Sequence, residues 1–115
     1  MKCGEVYWAE LFPRSGSEQS GRRPVIVVSD DGFNRAVDWR SVIVVPMTTS
    51  SKQGRRVRTV VQIPAAATSL GKNGLAVCHQ ITTLDRAKLT KRLGALSGEL
   101  LSAVDRGLKA TLDLD

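Results

Sequence analysis

The apolar positions of this chain fall into short runs separated by polar punctuation, and the period of those runs changes once, near the C-terminus. Val6 to Leu11 alternates in part and carries Tyr7 and Trp8, which predicts a first strand. Pro13 to Pro24 is rich in Gly, Ser and Arg and predicts a loop. Pro24-Val25-Ile26-Val27-Val28-Ser29 is a β-branched run, the pattern of a strand buried on both faces. Pro24 suits its first residue, where no ladder donor is needed. Asp30-Asp31-Gly32 predicts a turn, and Asn34 to Arg40 an irregular stretch or one helical turn. Ser41 to Pro46 is a second buried run, followed by a polar, basic loop from Thr48 to Arg56. Arg58, Val60 and Gln62 alternate with Thr59, Val61 and Ile63, as in a strand with one wet face. Thr68 to Gly74 is turn-rich, and Leu75 to Cys78 with Gln80-Ile81 predicts a last strand or strand pair. From Ser97 the period is helical. Ser97 is a candidate N-cap with Glu99 behind it, and Leu100, Leu101, Val104, Leu108, Thr111 and Leu112 recur at spacings of three and four. The expected architecture is a small β-barrel or sandwich capped by one helix, a single domain over residues 1–115 with no internal repeat.

Charge changes this picture from a generic barrel to one with a polar face. There are 17 Lys and Arg against 11 Asp and Glu, a formal net charge of +6. Residues 22 to 58 hold eight of the bases and three of the acids, so most of the excess lies in one third of the chain. Such a patch suits an anionic partner, of which nucleic acid is the commonest, though solubility alone also explains a modest excess. Aromatic residues are few. Tyr7, Trp8, Phe12 and Phe33 stand in the N-terminal third, followed by Trp39, so the C-terminal half builds its core from aliphatic residues.

Several classes are excluded or disfavoured. No apolar run approaches the ~20 residues that span a bilayer. Met1-Lys2-Cys3-Gly4-Glu5 opens no signal-peptide apolar region, so a cytoplasmic protein is expected. Cys3 and Cys78 make no disulfide framework. With one histidine, His79, a catalytic His pair within one chain is impossible, and a zinc site would need Cys3, Cys78 and His79 together without CxxC spacing. No metal or other cofactor is expected.

Polar chemistry concentrates beside the two buried runs, in Arg22-Arg23-Pro24 and in Pro46-Met47-Thr48-Thr49-Ser50. Arg presents a planar fork of donors that matches phosphate, and a Thr hydroxyl can donate to a phosphate oxygen. An Arg and a hydroxyl at neighbouring strand ends are therefore a candidate phosphate clamp; the plain alternative is a solvated charge.

The stretch Gly16-Ser17-Glu18-Gln19-Ser20-Gly21-Arg22-Arg23-Pro24, followed by Val25 to Ser29, closely resembles the signature of the MazF/PemK toxins, the ribonuclease halves of bacterial toxin–antitoxin pairs. The opening Gly4-Glu5-Val6-Tyr7-Trp8, Asn34 after the second strand, Val44-Val45-Pro46-Met47-Thr48-Thr49, and Gln80-Ile81-Thr82-Thr83-Leu84-Asp85-Arg86 resemble further family motifs in order. Thr82 departs from the pattern where many relatives carry Arg, leaving that Arg dispensable or replaced by Arg86.

The resemblance implies a mainly β fold, a small half-open Src-homology-3-like barrel of the CcdB/PemK toxin type with a C-terminal helix. It implies a homodimer that cleaves single-stranded RNA, mostly mRNA, at short sequence motifs without a metal, halts translation and growth, and is neutralised by an acidic MazE-like antitoxin. The residues the family uses at the scissile phosphate match Arg23 and Thr48. Ser17, Glu18, Gln19, Arg55, Arg56, Arg58 and Gln80 are the candidate RNA-binding residues. Ser17 and Gln19 are equally suited to closing their loop, and Glu18 to pairing with Arg22 or Arg23. Gln80 also suits a structural role at the barrel end. His79 suits either a phosphate contact or the core; Trp8 suits the core, and Trp39 is open. The alternatives are a CcdB-like toxin acting on DNA gyrase, against which Arg23 and Thr48 argue, and a non-catalytic RNA- or antitoxin-binding module.

Overall fold

The protein is described here by a computed structural model covering residues 1–11, 21–49 and 57–114. Among these residues the elements run β1 (Glu5–Leu11), β2 (Gly21–Val27), α1 (Asp31–Arg35), β3 (Ser41–Thr48), β4 (Val60–Ile63), β5 (Gly74–Val77), β6 (Thr82–Asp85), β7 (Leu89–Ala95) and α2 (Gly98–Leu112). Short 3-10 turns at Cys78–Gln80 and Arg86–Lys88 flank β6. The fold is the expected one: mainly β, curled into an antiparallel sheet and closed by a C-terminal helix.

The sheet order is β4-β5-β3-β2-β1-β7, with β6 also paired to β3. β3 organises it. One edge of β3 pairs with β2 from Val44 to Pro46. The other edge is shared, with β6 on Ser41 to Val44 and β5 on Met47 and Thr48. Pro46 falls between the last β6 pair and the first β5 pair. Val28 N–H donates to Ile43 O at 2.9 Å. Ladder alternation from that bond points the Pro46 nitrogen away from β2 and into the gap, so its missing N–H costs no ladder bond.

The β1–β2–β3 sheet buries residues on both faces, as the β-branched runs predict. One face carries Ala9, Leu11, Val25, Val27, Val42, Val44 and Leu84. The other carries Val6, Ile26, Val45 and Met47, joined by Ile63, Ala76, Cys78, Leu93 and Val104 of α2. β1 also pairs with β7 through a register shift between Val6 and Tyr7, where Gly94 takes a φ of 148°.

Four boundaries differ from expectation. Gly21, Arg22 and Arg23 are strand rather than loop, because they continue the β1 pairing opposite Leu11, Glu10 and Ala9. Asp30-Asp31-Gly32 starts a helix: the Asp30 side chain accepts from Gly32 N–H at 2.8 Å as an N-cap. Arg58 lies in a turn before β4. The strand near Leu75 is not the last, since β6 and β7 follow it. β7 escapes the apolar pattern because Thr90, Lys91 and Arg92 are exposed and its core contribution is chiefly Leu93.

α2 follows its pattern closely. The Ser97 hydroxyl accepts from Leu100 N–H at 3.2 Å, Glu99 occupies the first turn and Lys109 the last. The helix lies on β4 and the Cys78–Gln80 turn. Gly107 permits this seat, because a Cβ there would stand 2.6 Å from Cys78 Sγ. Burial, reinforced by Asp105, pushes the Cys78 thiol up to about 11, so it is an unreactive packing group at neutral pH.

Two outcomes follow. Gly107→Ala is expected to destabilise by about 1–2 kcal/mol, overpacking outweighing the gain in helix propensity. Cys78→Ala is expected to cost less in that background than in the native one, which a double-mutant cycle by urea unfolding will read. Glu5 is one acid-sensitive group, beside Asp31 and Asp85, whose carboxyls are also held below their ordinary range, chiefly by the N–H groups of Cys3 and Ala87. Partial burial pushes the Glu5 carboxyl up, but Arg92 at 2.8 Å, the Lys2 N–H and the Tyr7 hydroxyl together hold it below its ordinary 4.5. Its stabilisation is therefore complete above that value and lost as pH falls through the lowered one. Glu5→Gln is expected to flatten the acid limb of stability measured by urea unfolding from pH 6 to 3.

Candidate active site at the parting of two strands

β2 and β3 pair as far as Val25↔Pro46 and then separate. Two residues further along each strand stand Arg23 and Thr48. Side chains alternate with period two, so both belong to the face of Val25 and Pro46. Arg23 is exposed, and Thr48 is 6% exposed. The sheet thus sets the two residues at one rim, the cation in solvent and the hydroxyl residue seated in the wall.

The same row continues across the sheet. Thr48 pairs with Leu75 and Leu75 with Gln62, so Thr48, Leu75 and Gln62 share a face across β3, β5 and β4. A cleft of about 410 Å³ opens here, lined by Thr48, Thr49, Gln62, Ile63, Pro64, Asn73, Gly74 and Leu75. Ile63 is buried as its floor. Gly74 brings β5 close to β3, since a Cβ there would meet Met47 Cε at 2.9 Å and Thr48 O at 3.5 Å. Gln62 was legible only as a wet-face residue, and Asn73 carried no signal. The cleft arises from the β3–β5–β4 register, which links positions far apart in sequence.

The two neighbouring arginines have different fates. The Arg22 guanidinium stacks on the half-buried Trp8 ring, 4.4 Å from its centroid, and is held by cation–π attraction. Trp8 is therefore a core-edge residue with its face covered. Arg23 makes no hydrogen bond or ion pair with any described residue and is the cation available at the rim.

The other candidates divide. Arg58 is exposed in the turn before β4. Gln80 is half-buried in the Cys78–Gln80 turn and has interactions of its own. His79 is exposed rather than in the core, and its Nδ1 is 2.7 Å from the Thr59 hydroxyl. Ser17, Glu18, Gln19, Arg55 and Arg56 lie outside the described residues. Among the described residues no three His, Cys, Asp or Glu side chains cluster as a metal site would require, and no helix is long and apolar enough to cross a membrane.

Asn34 and Arg86 sit at the opposite end of β2 and β3. Asn34 is buried, with Nδ2 donating to Ser29 O at 2.8 Å and to Asp31 Oδ1 at 3.2 Å. Arg86 clasps the end of α1, donating to Asn34 O at 2.9 Å and Phe33 O at 3.1 Å. Its guanidinium is thus engaged in holding the end of α1. Arg40 pairs with Asp85 at 3.0 Å beside it, and Trp39 stacks on Phe33 with centroids 5.0 Å apart, both rings about half exposed.

Comparison with known proteins decides the family. Residues 2–112 match the PemK-like, MazF-like toxin of type II toxin–antitoxin systems. The chain belongs to this family. It is 36% identical over 110 residues to endoribonuclease MazF6 of Mycobacterium tuberculosis, covering 96% of this chain and 95% of that protein. Its fold superimposes on MazF of Deinococcus radiodurans with a TM-score of 0.81 at 25% identity, covering 99% and 97% of the two chains. A mycobacterial endoribonuclease solved in complex with its cognate antitoxin matches in fold with a TM-score of 0.76 at 24% identity, over 100% and 97% of the chains.

Within this toxin fold Arg86 is a brace. Arg86→Ala is expected to lower stability by about 1–2 kcal/mol through the two lost carbonyl bonds. Thermal melting will show this, while the salt dependence of single-stranded RNA binding stays as in the unsubstituted protein.

Proposed function

We propose that this protein is an endoribonuclease toxin that cuts single-stranded RNA, chiefly mRNA, at the rim formed by Arg23 and Thr48. One observation carries the reading: the strand register sets an exposed Arg, without a partner among the described residues, and a wall-seated Thr on one face, beside a cleft, where β2 and β3 part. Family membership supports the ribonuclease activity.

The chemistry suits those groups. The 2′-oxygen attacks the adjacent phosphorus as its proton passes to solvent, and the bond to the 5′-oxygen breaks as that oxygen takes a proton from the Arg23 guanidinium, which solvent then restores. The products are a 2′,3′-cyclic phosphate and a 5′-hydroxyl, and no water enters. Negative charge gathers on the phosphorane oxygens, and a fixed guanidinium lowers the barrier most when it is aimed there. A guanidinium carries donors and no acceptor, so Arg23 stabilises charge and can hand a proton to the leaving oxygen, and is no base. The Thr48 hydroxyl holds a non-bridging oxygen. Ser17, Glu18, Gln19, Arg55, Arg56, Arg58 and Gln80 complete the RNA contacts. The exposed guanidinium groups of Arg23 and Arg58 add positive charge that attracts the backbone.

The working form is a homodimer in the bacterial cytoplasm, two small barrels making a groove long enough for several nucleotides. Its regulator is an acidic antitoxin that folds over the basic surface.

Cleavage of a synthetic RNA in EDTA tests this reading. The protein is expected to cut, leaving cyclic-phosphate ends by mass spectrometry, and to leave intact a substrate with 2′-deoxyribose at the scissile nucleotide. Arg23→Ala is expected to slow cutting by about 10²-fold or more with an unchanged melt, because the side chain is exposed. Thr48→Val is expected to slow it by a smaller factor. Intact RNA with the native protein, or Arg23→Ala cutting at the native rate, overturns the assignment.

A further inference from the structure

Resting on that reading, we propose that the cleft between the ends of β3, β4 and β5 is a base-recognition pocket for the nucleotide next to the scissile phosphate, with Gln62 and Asn73 as its specificity-determining residues. The cleft begins at Thr48, so whatever occupies it is attached to the phosphate held there. Neighbouring strands lie about 4.8 Å apart. The row Thr48, Leu75, Gln62 therefore spans roughly two such steps, about the reach from a phosphate to the far edge of its own base. The cleft volume of about 410 Å³ falls within the small-ligand range.

The lining sorts as a base requires. The half-buried Leu75 and the exposed Pro64 offer apolar surface to the flat faces of a ring. Polar groups stand only where ring edges would come. Asn73 Oδ1 accepts from Ala65 N–H at 2.8 Å, which fixes the carboxamide and leaves its Nδ2 hydrogens as donors. Gln62 is exposed and makes no hydrogen bond with any described residue, so its donor and acceptor are both available. A carboxamide with both groups available can make a paired contact with one base edge and leaves a mismatch with the others. None of the described lining residues is a cation, which suits a site that reads base edges.

Gln62 is exposed on the end strand β4, so Gln62→Ala is expected to keep the native melt, while Asn73→Ala loses the bond to Ala65 N–H and is expected to melt slightly lower with the fold retained. The four ribonucleoside 5′-monophosphates, with ribose 5-phosphate as control, titrated into nitrogen-15-labelled protein, test occupancy without any need for cleavage. One base is expected to move the Gln62 and Asn73 side-chain amide resonances most, and ribose 5-phosphate to leave them in place. Cut-end sequencing of a mixed RNA pool tests the consequence. Gln62→Ala and Asn73→Ala are each expected to relax the preference at a single position beside the cut, by about tenfold. Native protein that cuts RNA while no nucleotide moves those amides, or variants that reproduce the native cut-site profile, overturns the pocket. Shifted amides in a protein that cuts no RNA overturn the ribonuclease reading and uphold the base pocket.

Discussion

Everything at the candidate site depends on β3 being unable to keep one set of partners along its whole length. Pro46 has no N–H to give, and it stands where the second edge of β3 passes from β6 to β5. A proline in the middle of a continuous ladder would remove a bond and be selected against. Here it sits in the gap, so the strand can bend without a polar group being stranded. Pro24 faces the equivalent situation on β2, one residue beyond the last β2–β3 pair. The two prolines leave the sheet open at one rim and closed at the other. The open rim carries Arg23, Thr48 and the cleft; the closed end carries the buried Asn34, its neighbours Ser29 and Asp31, and the Arg86 clasp.

That division explains why residues of similar type do different work. Arg22, Arg23 and Arg86 are all arginines beside strand ends. Arg86 is consumed by two carbonyls of α1, and Arg22 by the face of Trp8. Only Arg23 of the three projects from the opened rim without a partner among the described residues. Charge count alone cannot make this distinction, because it depends on which faces the strand alternation assigns to residues 22 and 23.

The sequence carried what local pattern can carry. The helical period after Ser97 located α2 and its cap almost to the residue, and the β-branched runs located β2 and β3, because buried strands exclude polar positions. The Gly-Ser-Glu-Gln and Arg-Pro residues pointed to Arg23 and Thr48 through resemblance. Non-local pairing was out of reach. Arg22 and Arg23 look like loop until Glu10 and Ala9 stand opposite them. β7 looks polar because it lends mainly Leu93 to the core. Gln62 and Asn73 meet Thr48 only through the β3–β5–β4 register.

The β4–β5 hairpin is joined to β3 by just two register pairs, Met47↔Ala76 and Thr48↔Leu75. Its outer strand ends the sheet among the described residues. Its exposed positions, Gln62 among them, can change without disturbing the β1–β2–β3 core, whereas Ile63, Gly74 and Ala76 are packed into it. On the proposed reading, changes at those exposed positions would shift the RNA motif and leave the Arg23–Thr48 rim as it is, so diversification would begin on the outer face of the hairpin.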